Sequence, residues 1–275
     1  MAKMPVVLDK SFLVGSTPTD MADLCAEYLV LMTEALFFEL LLGPARECQE
    51  GFRKFPTTTN PVELVAHVGT LLAYEAAEHS PATPLTDRLR PVNFRFNEKL
   101  ATGSFVLTSQ QVAGANDWRA FVAELAAGFK ERSAALPNWF PALAGYKPGM
   151  PSTVIEDVGE AVASDGALIR SIYDSFRPSS FPAGSEIEGG WAGFRWTQVQ
   201  LLYGLEYIRR YGPNSKMEAK AIQHDVIDMQ YVITGVLGGA MASHDGFPRA
   251  VFRRLLPEGL LIPSETTGGT ERRSG

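Results

Sequence analysis

Asp9, Glu39, Asp225, Asp228 and Asp245 each lie in or beside an apolar stretch, where an unpaired acid is costly and therefore chemically informative. Carboxylates without His or Cys ligands suit hard divalent cations, Mg²⁺ or Mn²⁺, which take oxygen ligands and keep several waters. That pairing suits phosphodiester hydrolysis. The ion would activate a water and neutralise charge on the phosphate, with one carboxylate free to act as base. In the candidate set Asp9, Glu39, Asp228 and Asp245 carry the catalysis, and Asp225 is an additional or alternative metal ligand.

Stepping along the chain, Pro5 to Leu8 (PVVL) has the β-branched content of a first strand and runs straight into Asp9. Ser11 or Ser16 is then expected to cap a helix over about Thr19 to Glu27. Tyr28 to Met32 reads as a second buried strand, and Thr33 as the cap of an apolar helix, Glu34 to Leu42, that carries Glu39 among leucines and phenylalanines. Val226, Met229, Val232, Ile233, Val236 and Leu237 recur at helical spacing, so Asp225 and Asp228 share a face near the expected helix start, where the dipole favours anions. Gly238 and Gly239 stop that helix. Ala240 to Ser243 then fits a buried parallel strand that delivers Asp245 to its C-terminal end, the edge at which open α/β sheets bind ligands. A plainer reading of the same residues makes Asp225 a helix cap, Asp228 a solvated first-turn acid and Asp245 a turn former.

These elements imply a three-layer α/β/α core with a mostly parallel sheet, built from residues 1–45 and 194–263, and a mainly helical insertion over 46–193. Within the insertion Asn60 to Glu78, Asp117 to Ser133 and Ser152 to Phe176 read as helices, the last as one or a broken pair. Phe94, Phe96 and Ser104 to Val112 allow a strand or hairpin. His67 and His79 read as surface or capping residues, and Glu75 and Glu78 as a solvated face. Gly189 to Gly193 reads as a flexible joint, Phe247 to Leu256 as an amphipathic helix, Gly259 to Ile262 as a last strand, and 264–275 as a disordered tail.

The formal net charge of −6 and a sequence pI near 5.3 argue against binding through a broadly basic surface. A local patch remains open: Arg249, Arg253 and Lys216 are the leading candidates for contacting a nucleic-acid backbone, with Arg195, Lys220 and Arg254 beside them. Two cysteines, Cys25 and Cys48, make neither a disulfide framework nor a zinc motif. No stretch has the apolar length of a membrane span or the pattern of a signal peptide, so a cytoplasmic protein is expected.

Three segments, VVLDKSFL, LFFELL and DMQYVITGVLGGAMASHD, occur in an order that resembles the PIN-domain family of metal-dependent nucleases. The resemblance implies that Asp9 is the first acid after the opening strand, Glu39 the helix glutamate, Asp228 the later helix aspartate and Asp245 the last strand-end acid. It also matches Ser11 and Ser243 to the family's small polar residues near the first and last acids. The implied activity is cleavage of RNA, or another single-stranded nucleic acid, with Mg²⁺ or Mn²⁺. Lys10 departs from the family's small residue at that place, and the long insertion is unusual for it; the insertion is open to covering the site, selecting substrate, or binding a protein partner or a second copy. The alternatives are a catalytically inactive relative and a helical interaction protein whose acids cap and solvate. A haloacid-dehalogenase-like phosphatase would need a second aspartate where Ser11 stands, and neither a Walker loop nor a G-x-S-x-G elbow is present.

Overall fold

The structure, a computed structural model, describes residues 3–58, 60–90, 96–213 and 219–264. In chain order the elements are β1 (Pro5–Leu8), α1 (Lys10–Gly15), α2 (Pro18–Glu27), β2 (Leu29–Thr33), α3 (Glu34–Leu42), α4 (Ala45–Phe52), β3 (Glu63–Val65), α5 (Val68–Glu78) and β4 (Leu89–Arg90). The long α6 (Ser109–Trp139), α7 (Thr153–Ser164), α8 (Gly166–Phe176), α9 (Ala192–Tyr211), α10 (Ala219–Gly238), β5 (Ala240–Ala242), α11 (Gly246–Leu255) and β6 (Leu260–Ile262) follow.

The molecule is α/β, helix-rich, with one mixed sheet in the order β4-β3-β2-β1-β5-β6. Every neighbouring pair is parallel except β3 with β4. Because side chains alternate across a strand, Val6, Leu8, Val30 and Met32 enter the main core on one face. Val7, Leu31 and Val65 meet Leu71, Leu85 and Ala192 on the other. Both faces are therefore buried, which explains why the strands read as continuous apolar runs. Gly239, at φ +84°, makes the turn between α10 and β5 in a backbone region that side-chain-bearing residues avoid.

Several expectations need correction. Asn60 to Glu78 is not one helix: His67 caps α5 by accepting from the Gly69 amide at 3.1 Å, and Glu63–Val65 pairs with β2 as a strand. Short apolar runs fit either structure, and pairing decides. Ser104 to Val112 forms no strand among the described residues, because Thr108 and Gln111 close a capping box that starts α6; Phe94 lies outside the described residues. The helix after β1 is capped by Asp9 and the next by Thr17, with Pro18 at its first position, in place of Ser11 or Ser16. Residues 189–193 include buried Trp191 and the first turn of α9.

Residues 46–193 contribute two strands to the sheet, and α6 packs along α9 and α10. Trp118, Phe129 and Leu136 of α6 share the main core with Val226 and Tyr231 of α10. The break at Asp165, which caps α8 through the Leu168 amide, separates α7 from α8. Among the described residues no helix is long and apolar enough to cross a membrane.

Candidate active site: a ring of carboxylates at the parallel edge

Parallel strands all present their C-terminal ends to the same edge, so the residues after β1 and β5 meet. The Asp9 amide donates to the Ala242 carbonyl at 3.0 Å, which brings Asp9 against Ser243 despite their separation in sequence. Asp9 is buried. Its Oδ2 accepts from the hydroxyls of Ser11, at 2.6 Å, and Ser243, and its Oδ1 accepts from the Ser11 amide at 3.2 Å. Burial raises its pKa and outweighs these three bonds, with the Asp245 charge adding to the rise.

Ser11 closes the other side of the loop. Its Oγ accepts from the amides of His244 at 3.0 Å and Asp245 at 3.2 Å, so one hydroxyl ties the end of β5 to the start of α1. Asp245 is exposed and caps α11, accepting from the Phe247 amide at 3.0 Å. The turn-forming and catalytic readings of Asp245 thus share one geometry.

Asp225 and Asp228 do not sit at a helix start. Since α10 begins by Ala219, they fall in its second and third turns, where the end dipole no longer favours an anion. Asp225 Oδ2 accepts from the Tyr207 hydroxyl. Burial raises the Asp225 pKa, while Tyr207 and the charges of Arg210 and His224 pull it down. Asp228, half-buried, has no hydrogen-bond or ion-pair partner among the described residues. Burial first, then the charges of Asp9, Glu39, Asp245 and Asp225, push its carboxyl up to about 8. All four other candidate acids therefore act on Asp228, which is the centre of the set.

Glu39 has the basic partner that an acid on such an apolar helix requires. Lys10 Nζ stands 2.9 Å from its Oε1, and the Tyr231 hydroxyl donates to its Oε2 at 2.6 Å. Tyr231 is fully buried, and burial beside Glu39 raises its pKa well above the usual phenol value. A second buried phenol, Tyr203 of α9, has no hydrogen-bond partner for its hydroxyl among the described residues. Burial, followed by the charges of Asp228, Asp225, Asp9 and Asp245, raises its pKa strongly, so this hydroxyl faces the same acids. Neither tyrosine was singled out from sequence. The available signal was a phenol on an apolar helix, and buried phenols usually find a partner.

The donor chemistry fits a hard divalent cation, since it consists of oxygen atoms and includes one carboxylate with no competing partner. The spacing is less closed. Among the described residues no group of three or more His, Cys, Asp and Glu side chains is drawn together closely enough to hold an ion as it stands.

The proposed basic rim is not gathered around the acids in the same way. Arg249 donates to the carbonyls of Ser243 and Pro263, both at 2.9 Å, and Arg253 to those of Pro257 at 2.7 Å and Gly259 at 2.9 Å. Both guanidinium groups brace the C-terminal strand. Arg195 is held by the Gly189 carbonyl and Gln198, Arg254 is exposed, and Lys216 and the side chain of Lys220 lie outside the described residues. His67 and His79 cap the two ends of α5. Glu75 corrects its solvated reading: it is 2% exposed and binds the first amides of α9.

No family model matches the chain, and no curated protein or solved structure matches it either.

Proposed function

We propose that the protein hydrolyses phosphodiester bonds of RNA, or of another single-stranded nucleic acid, at the carboxylate ring, with Mg²⁺ or Mn²⁺ held there. The observation that carries this reading is Asp228: a half-buried carboxyl with no donor, surrounded by four like charges and pushed up to about 8. Such crowding is costly unless a cation offsets it. A sheet with the first strand central, the switch in strand order beside it, and Asp9 and Asp245 at one edge supports the finer assignment to a three-layer, PIN-like architecture.

Asp9, Asp228 and Asp245 would hold the ion, with Asp225 and Glu39 at its margins. A bound ion lowers the pKa of a coordinated water and neutralises charge developing on the phosphate. The chain supplies positioning. Ser11 and Ser243 fix the Asp9 carboxylate, Tyr231 and Lys10 fix Glu39, and Asp228 is the carboxyl left free to turn and to release its proton as the cation binds. Asp245 lies on the open side, where a phosphate would enter.

One observation favours a second reading, a catalytically inactive relative. Lys10 already supplies a positive charge to Glu39 at 2.9 Å, and both oxygens of Asp9 and of Glu39 are hydrogen-bonded. Melting with and without Mn²⁺, together with an RNA-cleavage assay, separates the readings. For an ion at about a hundred times its Kd, the wild-type midpoint should rise by about 5–10 °C. Asp228→Asn should lose both that rise and metal-dependent cleavage. Equal shifts in the two proteins, with no cleavage by either, would reject the hydrolase.

A further inference from the structure

Beside the acids, the C-terminal half of α9 and the start of α11 enclose a cavity of about 250 Å³ that shares Asp225 with the ring. Its walls are unusually aromatic. Tyr203, Tyr207, Tyr211 and Phe247 line it, together with Arg210 and Asp225. Tyr203 and Phe247 brace each other edge to face at 4.8 Å, and Tyr207 is held by its hydroxyl on Asp225. Tyr211 is different: 58% exposed, it stands 5.8 Å from Tyr207 and keeps most of its ring surface open.

We propose that this cavity binds one unstacked nucleobase of a single strand, stacked on Tyr211, while the adjoining phosphate lies over the acid ring. The inference rests on the phosphodiesterase reading for the phosphate's destination, but the base subsite stands on its own geometry. An aromatic face recognises any base by stacking, whereas a base in a duplex has both faces covered. The volume suits one ring system. Arg210 spends its Nε on Glu206 at 2.6 Å, and its remaining N–H groups have no partner among the described residues. They sit on the cavity wall beside Asp225, where they can meet a backbone phosphate or a base carbonyl and offset the negative field of the ring.

The alternatives for this surface are distinguished by titration. The full chain in Mg²⁺ is titrated with a uridine hexanucleotide, with a hexamer of the same backbone lacking bases, and with uridine monophosphate. Anisotropy is the readout for the hexamers, competition against the hexanucleotide is the readout for the monophosphate, and strand length is checked at the end. Wild type should prefer the base-bearing strand to the abasic one by about tenfold or more, the range that one base–aromatic stack supplies. Tyr211→Ala should erase that preference. Tyr211→Trp should keep it, and its indole emission should be quenched by the hexanucleotide. Competition by the monophosphate as strong as by the hexanucleotide would assign the cavity to a free nucleotide and overturn the strand proposal. A wild-type protein without preference, including one that binds neither hexamer, overturns it too, as does a Tyr211→Ala protein that retains the preference. If the base preference is present while the Mn²⁺ melting shift and cleavage are absent, the subsite stands and the hydrolase reading fails.

Discussion

Glu75 and Asp228 are both acids on helices packed into the core, and their surroundings are opposite. Glu75 accepts from the amides of Ala82 at 3.1 Å, Ala192 at 2.6 Å and Gly193 at 2.9 Å. Those last two donors are the open N-terminal amides of α9, so the carboxylate of α5 completes another helix. Asp228 receives no such donor and faces four carboxylates. Burial raises both pKa values, but backbone bonds oppose the rise at Glu75 and neighbouring charges reinforce it at Asp228. Burial alone therefore does not single out an acid as a functional candidate; the absence of compensation does.

The largest effect belongs to the compensated acid. Glu75→Ala leaves three buried amides without their acceptor and should cost about 3–5 kcal/mol in urea unfolding. A loss below about 1 kcal/mol would mean that water replaces the carboxylate and that the cap is not structural.

Asp228→Asn should act in the other direction. Without divalent ions it should stabilise the protein by about 2–3 kcal/mol at pH 8, because an amide carries no charge into the ring. The sign follows from the folded pKa, about 8 against an ordinary 3.8. Between these values the native state binds more protons than the unfolded chain, so this group's contribution to stability falls as pH rises from about 4 through 8. That decline, at most about 1.4 kcal/mol per pH unit, should disappear in Asp228→Asn. Denaturation curves at pH 5 and 8 in chelator measure it; a parallel decline in both proteins would place the repulsion elsewhere.

Tyr203→Phe should have the smallest effect, a gain or loss below about 1 kcal/mol, since it removes an unpaired hydroxyl and keeps the edge-to-face packing on Phe247. A larger loss by thermal melting would show that this hydroxyl has a partner among the acids.

Asp9 and Asp245 were legible because a short apolar run ending in an acid marks the C-terminal end of a buried strand. Glu39 was legible because an acid among leucines needs a partner, and Lys10 is that partner. The sequence places Asp228 near a helix start, but the helix begins earlier than the apolar periodicity suggests, so the acid stands in its middle. Glu75 reads as solvated in sequence because, of its three donors, only Ala82 is near in the chain, and the two that make it a helix cap lie 117 and 118 positions away, beyond any local pattern. Arg249 and Arg253 read as a basic rim, but carbonyls occupy them: Ser243, just after β5, and Pro263, just after β6, hold Arg249, and Pro257 and Gly259 in the turn after α11 hold Arg253. The strand β3 escaped for a different reason: three residues carry too little periodicity to tell a strand from the first turn of a helix.

The contact of Ser243 with Asp9 spans 234 positions, and that separation becomes a delay when the chain is made from its N-terminus. At ~5–20 residues per second, Asp9 is made roughly ten seconds to most of a minute before Ser243. During that interval β1 lacks its β5 neighbour, and the acid ring lacks Asp225, Asp228 and Asp245. A product of interrupted synthesis that stops before α10 can carry the first strands and most of the helices, yet none of these later acids. The ring therefore closes only after α10 and β5 have been made.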